Sequence, residues 1–114
     1  MPEDCLFCRI VAGDVPATVV RAGERTLAFR DVNPQAPSHV LVIPKEHYDD
    51  LGALATADPQ LLGEVFAETA AVAAEERLGD GYRTVVNTGR HGGQTVSHLH
   101  VHLLGGRPLT WPPG

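Results

Sequence analysis

No apolar run in this chain of 114 residues approaches the length that a bilayer core requires. No signal-peptide pattern opens it either: Met1-Pro2-Glu3-Asp4 is acidic where a leader is basic, so a cytoplasmic location is the expectation. Basic residues are few and dispersed. The nine Lys and Arg side chains run from Arg9 through Lys45 to Arg107 without clustering, and the net charge is −5. General binding to a nucleic-acid backbone is therefore not expected, although local donors can still hold a small anion. The glycine–lysine–Ser/Thr order of a P-loop is missing, and no nucleophile elbow occurs. There are no internal repeats and no low-complexity linker. What remains is an ordinary soluble composition, 43% hydrophobic and 20% charged, fitting one domain over residues 1–114 with a real core.

The pattern along the chain predicts a mixed fold. Leu6, Phe7 and Ile10 suggest a short helical turn. Residues 18–21 and 26–30 read as strands around a Gly23-Glu24 turn, and 39–43 as a buried strand ended by Pro44. Asn33-Pro34-Gln35-Ala36-Pro37 must be a loop, because its two prolines lack amide donors. A long helix begins at Asp58 as N-cap and Pro59 as first residue. Its apolar stripe is Leu61, Leu62, Val65, Phe66, Thr69, Val72 and Ala73, and Gly79 marks its stop. Residues 82–87 form another strand, and the glycine-rich turn 88–94 leads into the most distinctive segment. The expected class is α+β with a mainly antiparallel sheet.

That segment is His98-Leu99-His100-Val101-His102-Leu103-Leu104. On an extended strand, alternate side chains share a face. His98, His100 and His102 would then line a site while Leu99, Val101 and Leu103 enter the core. A half-exposed strand offers a plainer account, but Lys, Thr or Glu would serve a solvent face equally well. A nucleophilic histidine needs one unprotonated ring nitrogen toward its target and an acceptor for the proton on the other. A neighbouring histidine can donate to a phosphate oxygen or a leaving group. Gly92 and Gly93 allow close backbone approach, Gln94, Thr95 and Ser97 supply polar side chains, and Asn87 ends the preceding strand. A glycine pair alone is a plain hairpin connection; beside three histidines it reads as a phosphate pocket.

Cys5 and Cys8 have the spacing to clasp a metal, but two ligands do not complete a structural zinc site. A redox pair and two small buried residues are the alternatives; no βαβ setting favours the redox reading. His39 and His47 flank the buried strand and by themselves fit ordinary solvated residues, as does His91 in the turn.

Taken together, these motifs resemble the histidine triad (HIT) superfamily, and specifically its Hint-like nucleotide-binding branch, over essentially the whole length. Phe29 to His39, Val42 to His47, Asn87-Thr88-Gly89, Gly93 to His102, Gly105-Gly106-Arg107 and Trp111-Pro112-Pro113-Gly114 carry the resemblance. It implies a HIT-like fold: a five-stranded, mainly antiparallel sheet with one long and one short helix, dimerising into a ten-stranded sheet. It also implies a hydrolase of purine nucleoside 5'-phosphoramidates that works through a nucleotidyl-histidine intermediate.

The roles carried over are these. His100 is the nucleophile, His102 contacts phosphate or leaving group, and His39 supports the nucleophilic side. Asn87, Gln94 and Thr95, with the amides of Gly93 and Val96, hold phosphate. Asp31 accepts from the ribose hydroxyls, and Phe7, Ile10, Phe29 and Val32 sandwich the purine. Trp111 would reach toward the site of a second copy. The zinc-containing subset adds a structural zinc on Cys5, Cys8, His47 and His98, and no organic cofactor is implied. Thr95 stands where serine is common, and Arg90 and His91 replace turn residues that are often acidic or small. The competing functions are dinucleoside polyphosphate hydrolysis, a nucleotide-binding regulatory scaffold with incidental turnover, and a zinc-knuckle nucleic-acid binder, which the acidic balance disfavours.

Overall fold

In the computed structural model, which describes residues 4–114, five strands form one antiparallel sheet in the order β1-β2-β3-β5-β4. They are β1 (Val19–Ala22), β2 (Thr26–Arg30), β3 (Ser38–Pro44), β4 (Tyr82–Val85) and β5 (Val101–Gly105). The acidic Met1-Pro2-Glu3 lies outside the described residues. Among the described residues no helix is long and apolar enough to cross a membrane.

β3 is buried along its whole length, since β2 and β5 flank it and each of its faces is covered. Val40 and Val42 point to one side, where Ala28, Val101 and Leu103 join them under the long helix α3 (Pro59–Glu75). Leu41 and Ile43 point to the other, with Leu27 and Phe29, under the short helix α1 (Leu6–Ala12). The functional residues gather on this second face.

Helix α3 starts as its sequence dictates. The Asp58 carboxylate accepts from the Leu61 N–H, and Pro59 occupies the first turn, where no amide donor is missed. Leu61, Val65, Thr69, Val72 and Ala73 of the expected stripe are buried, whereas Phe66 turns outward at 39% exposure. A row of ion pairs binds the helix to β1 and β2: Arg21 with Glu68 and Glu75, Arg25 with Asp58 and Glu64, Arg30 with Glu76.

Several boundaries differ from expectation. There are two short helices rather than one, because α2 (Leu51–Ala57), capped by Asp50, precedes α3. Helix α3 ends at Glu75 with Glu76 as C-cap, and Arg77, not Gly79, takes the left-handed conformation (φ 60°). The carbonyls of Ala73 and Ala74 are already satisfied by the Leu78 and Arg77 amides, so the helix closes before Gly79 is reached. β1 is shifted one residue on from the expected 18–21, and β4 stops at Val85, short of Asn87. The largest difference concerns the histidines: β5 begins at Val101, so His98, in a bend, and His100 lie on the segment leading into it and only His102 is in the ladder. The alternation survives. Leu99, Val101 and Leu103 enter the α3 core, while His98 and His100 turn toward α1.

Candidate active site and metal centre

Helix α1 brings two groups of residues to the sheet at once. Cys5 is its N-cap, with its sulfur accepting from the Cys8 N–H, so both thiols face the sheet from one helical turn. Phe7, also buried, packs edge-on against Phe29 and His100 at ring separations of 5.4 and 5.0 Å.

The thiols meet His47 and His98. Cys5 Sγ lies 3.4 Å from His98 Nδ1, and Cys8 Sγ lies 3.5 Å from His98 Nδ1 and 3.3 Å from His47 Nδ1. The two Nδ1 atoms are 3.2 Å apart. A tetrahedral zinc with bonds of about 2.3 Å to sulfur and about 2.05 Å to nitrogen needs edges of about 3.6 Å (S···N) and about 3.3 Å (N···N). The observed edges match those of such a tetrahedron. The chemistry of the donors fits as well. His98 Nε2 faces the Pro44 carbonyl at 2.8 Å, and His47 Nε2 faces Asp49 Oδ1 at 2.8 Å, so both rings donate outward and aim an unprotonated Nδ1 inward. Burial, then the Cys5 thiol, pushes Cys8 up to about 11, and burial pushes His98 down to about 4. A bound cation would reverse the cost of ionising the thiols. The four ligands leave no open coordination position, which is the pattern of a structural site.

The catalytic candidates lie one step along the same face. His100 Nδ1 is 2.8 Å from the His98 carbonyl oxygen, so it carries the proton and donates. Its Nε2 is left with a lone pair. His102 is tied differently: its Nδ1 lies 2.9 Å from His39 Nε2, and His39 Nδ1 accepts the Gln35 N–H at 3.0 Å. His100 and His102 both line a cleft of about 250 Å³. Burial lowers His39, His100 and His102, the last to about 4, with the neighbouring imidazoles adding to that shift. Burial thus biases all three rings toward the neutral form.

The cleft unites most of the residues expected there. Phe7, Ile10, Phe29, Asp31, Val32, Thr95 and Val96 line it together with the two histidines. Asp31 Oδ2 sits 3.4 Å from His39 Nε2. Val32 lines the cleft yet is fully exposed, which suits a lip rather than a wall. The remaining expected residues are placed otherwise. Gln94 braces its own turn: its carbonyl accepts from the Gly89 N–H, and its amide donates to the Asp49 and Val96 carbonyls. Gly93 has the left-handed conformation (φ 81°) that the turn requires. Gly92 serves its own chain rather than a ligand, because a Cβ there would fall 2.4 Å from the Thr88 carbonyl oxygen. Asn87 follows β4, half-buried, and Trp111 is 81% exposed outside the cleft. Gln35 and Arg107 were not anticipated as site residues; the work of one is done by its backbone and of the other on a backbone carbonyl, so side-chain chemistry in the sequence gives no sign of it.

Comparison with known proteins agrees with this geometry. The HIT domain family matches residues 12–109. An uncharacterized HIT-like protein of Synechococcus elongatus is 56% identical over 115 residues, covering all of both chains. A 14 kDa zinc-binding protein of Zea mays is 50% identical over 112 residues, covering 96% of this chain and 87% of that one. The crystal structure of a HIT family hydrolase from Legionella pneumophila superposes with a TM-score of 0.93 at 48% identity, covering 97% of this chain and 100% of that one. A histidine triad nucleotide-binding protein from Candida albicans gives a TM-score of 0.83 at 29% identity, covering 96% and 83%.

Proposed function

The chain belongs to the HIT domain family, and from that premise we propose that it is a purine nucleoside phosphoramidase that releases a nucleoside monophosphate. That it is a nucleotide-binding hydrolase follows from the family. The choice of a P–N substrate rests on the Hint-like turn Gly93-Gln94-Thr95 and the C-terminal Trp111-Pro112-Pro113-Gly114. The observation that carries the reading is the opposite proton state of two adjacent rings: His100 turns a lone pair, and His102 an N–H, into one cleft.

The reaction proceeds in two displacements. His100 Nε2 attacks the α-phosphorus in line, and the P–N bond breaks. The leaving nitrogen takes a proton from the His39–His102 pair, which gains one when the phosphate anion enters. Water then attacks phosphorus, its proton returns to the pair, the P–Nε2 bond breaks and the monophosphate departs. Thr95 and the Val96 amide, with Asn87, hold the phosphoryl oxygens; the Gly93 amide instead donates to the Arg90 carbonyl at 3.1 Å, closing its own turn, and Gln94 keeps that segment in place. Asp31 accepts from the ribose hydroxyls, and Phe7, Ile10, Phe29 and Val32 clasp the purine. The zinc held by Cys5, Cys8, His47 and His98 is structural and supplies no chemistry at phosphorus; the zinc-binding maize relative supports it. A homodimer completes the reading. β4 is one of the two edge strands, its Tyr82 is 47% exposed, and edge pairing there would join two sheets and bring Trp111 of one copy near the other's cleft. Sedimentation would report its mass.

Incubation with an adenosine phosphoramidate releases AMP, and His100→Ala abolishes the release. Undiminished turnover in that variant would remove His100 as nucleophile and the reading with it.

A further inference from the structure

We propose that the backbone amide of Gln35 and the side chain of Arg107 are positioning elements for the triad, fixing which nitrogen of His39, and through it of His102, carries the proton. The proposal rests on the phosphoramidase reading only for its catalytic consequence.

The Gln35 N–H donates to His39 Nδ1 over 3.0 Å. A neutral imidazole has one N–H and one lone pair, so the His39 proton must sit on Nε2. That nitrogen lies 2.9 Å from His102 Nδ1 and 3.4 Å from Asp31 Oδ2. His102 Nδ1 is therefore an acceptor, and the His102 proton is carried by Nε2, which faces the cleft. The lock works in one direction because a backbone N–H can only donate; a hydroxyl could serve either tautomer. The His98 carbonyl can only accept, and it gives His100 the reverse tautomer. Two main-chain groups of opposite polarity thus set neighbouring rings in opposite proton states.

The same donor decides what the Asp31–His39–His102 triangle can hold. Its ligand atoms are close enough to enclose a cation. A cation on His39 Nε2 would need a second lone pair from a ring whose Nδ1 already accepts a hydrogen bond. The triangle is suited to a shared proton instead.

Gln35 is itself held in place. Its side-chain amide donates to the Asn33 carbonyl at 2.9 Å, and the Asn33 N–H donates to Asp31 Oδ1 at 2.9 Å. Arg107 Nη2 donates to the Gln35 carbonyl at 3.0 Å, and Nη1 to the Pro108 carbonyl at 3.0 Å. Arg107 therefore ties the segment after β5 to the loop after β2. Pro34 and Pro37 stiffen the same loop.

The test uses the full zinc-loaded chain with isotopically labelled histidine, read by nitrogen NMR without substrate. The expected spectrum shows His39 and His102 protonated on Nε2 and His100 on Nδ1, with scalar coupling across the Gln35 N–H···Nδ1 bond. Gln35→Pro removes the donor. Both His39 and His102 should then populate the other tautomer, and kcat for an adenosine phosphoramidate should fall by about tenfold or more while KM stays within about threefold. Arg107→Ala should move both readouts the same way by less, and Arg107→Lys should restore them. If Gln35→Pro does not fold, the wild-type coupling and the Arg107 pair decide. His39 protonated on Nδ1, or a folded Gln35→Pro with both tautomers unaltered, would overturn the lock. The expected tautomers with a fully active His100→Ala would retain the lock and discard the phosphoramidase reading.

Discussion

Stripping the metal from Cys5, Cys8, His47 and His98 should lower the melting temperature by about 15 °C or more. The cluster joins chain segments that are far apart: Cys8 and His47 are 39 residues apart, and His47 and His98 are 51. A cross-link closing either loop removes about 4 kcal/mol of chain entropy from the unfolded state. The histidine ligands release on unfolding, so mass action sets the usable gain, which is about 4 kcal/mol when free zinc exceeds its dissociation constant about 1,000-fold. For 114 residues the unfolding entropy is about 0.24 kcal/mol/K, so about 4 kcal/mol corresponds to about 17 °C. The assay is a thermal scan of the chelated protein, its metal content checked by elemental analysis, before and after zinc is returned. Cys8→Ser should match the chelated protein and ignore added zinc. A verified metal-free sample melting within about 3 °C of the loaded one would refute the reasoning.

Gly92→Ala should destabilise by about 1–3 kcal/mol, because its Cβ meets the Thr88 main chain at 2.4 Å and 2.9 Å; Gly63→Ala, with open space inside α3, should stabilise by about 0.5–1 kcal/mol. Denaturant titration of the two variants gives both signs. His102 binds its proton less readily when folded (about 4) than when unfolded (about 6.5), so the unfolded state takes up more protons as pH falls. Stability should therefore decline between about pH 6.5 and 4, and His102→Gln should make that stretch of a stability-versus-pH curve shallower, the remaining slope coming from the buried His39 and His100. Asp58→Ala should cost about 1–2 kcal/mol, by removing the cap that accepts from Leu61 together with the Arg25 partner, and Asp58→Asn should cost less; equal losses from the two would contradict the capping account.

Much of the fold was legible because its signals are local. Asp58-Pro59 announces the start of α3, and the β-branched run at 40–43 announces a strand buried on both faces. The β2 limits, Thr26–Arg30, are those the sequence implies. What stayed hidden is set by partners distant in sequence. Nothing local says that β5 begins at Val101, because the ladder starts only where Val42 of β3 comes into register with it. The left-handed Arg77 is of the same kind, since position 77 carries no glycine to signal it. In the site, the resemblance supplied what spacing alone left open: Cys5, Cys8, His47 and His98 meet in one cluster, and Phe7, Phe29 and Asp31 line the cleft beside His100 and His102. The main-chain contributions were not legible, since the amide of residue 35 and the carbonyl of residue 98 are common to every amino acid but, for the amide, proline.

That invisibility bears on how three equally spaced histidines come to sit in three different environments. Spacing gives them one face, and nothing in the side chains distinguishes them. His98 differs because it lies before the ladder, where Cys5, Cys8 and His47 reach its Nδ1 while Pro44 holds its Nε2. Its carbonyl, unpaired by any strand, is then available to His100 Nδ1, which makes His100 the ring with the free Nε2. His102 is the first of the three inside the ladder, opposite Leu41, and meets His39 from the neighbouring strand instead of a carbonyl. The start of β5 at Val101 is therefore what gives the three rings their three different sets of partners. A strand extended three residues further toward its N-terminus would draw His98 and its carbonyl into the ladder and leave His100 without the acceptor that sets its tautomer.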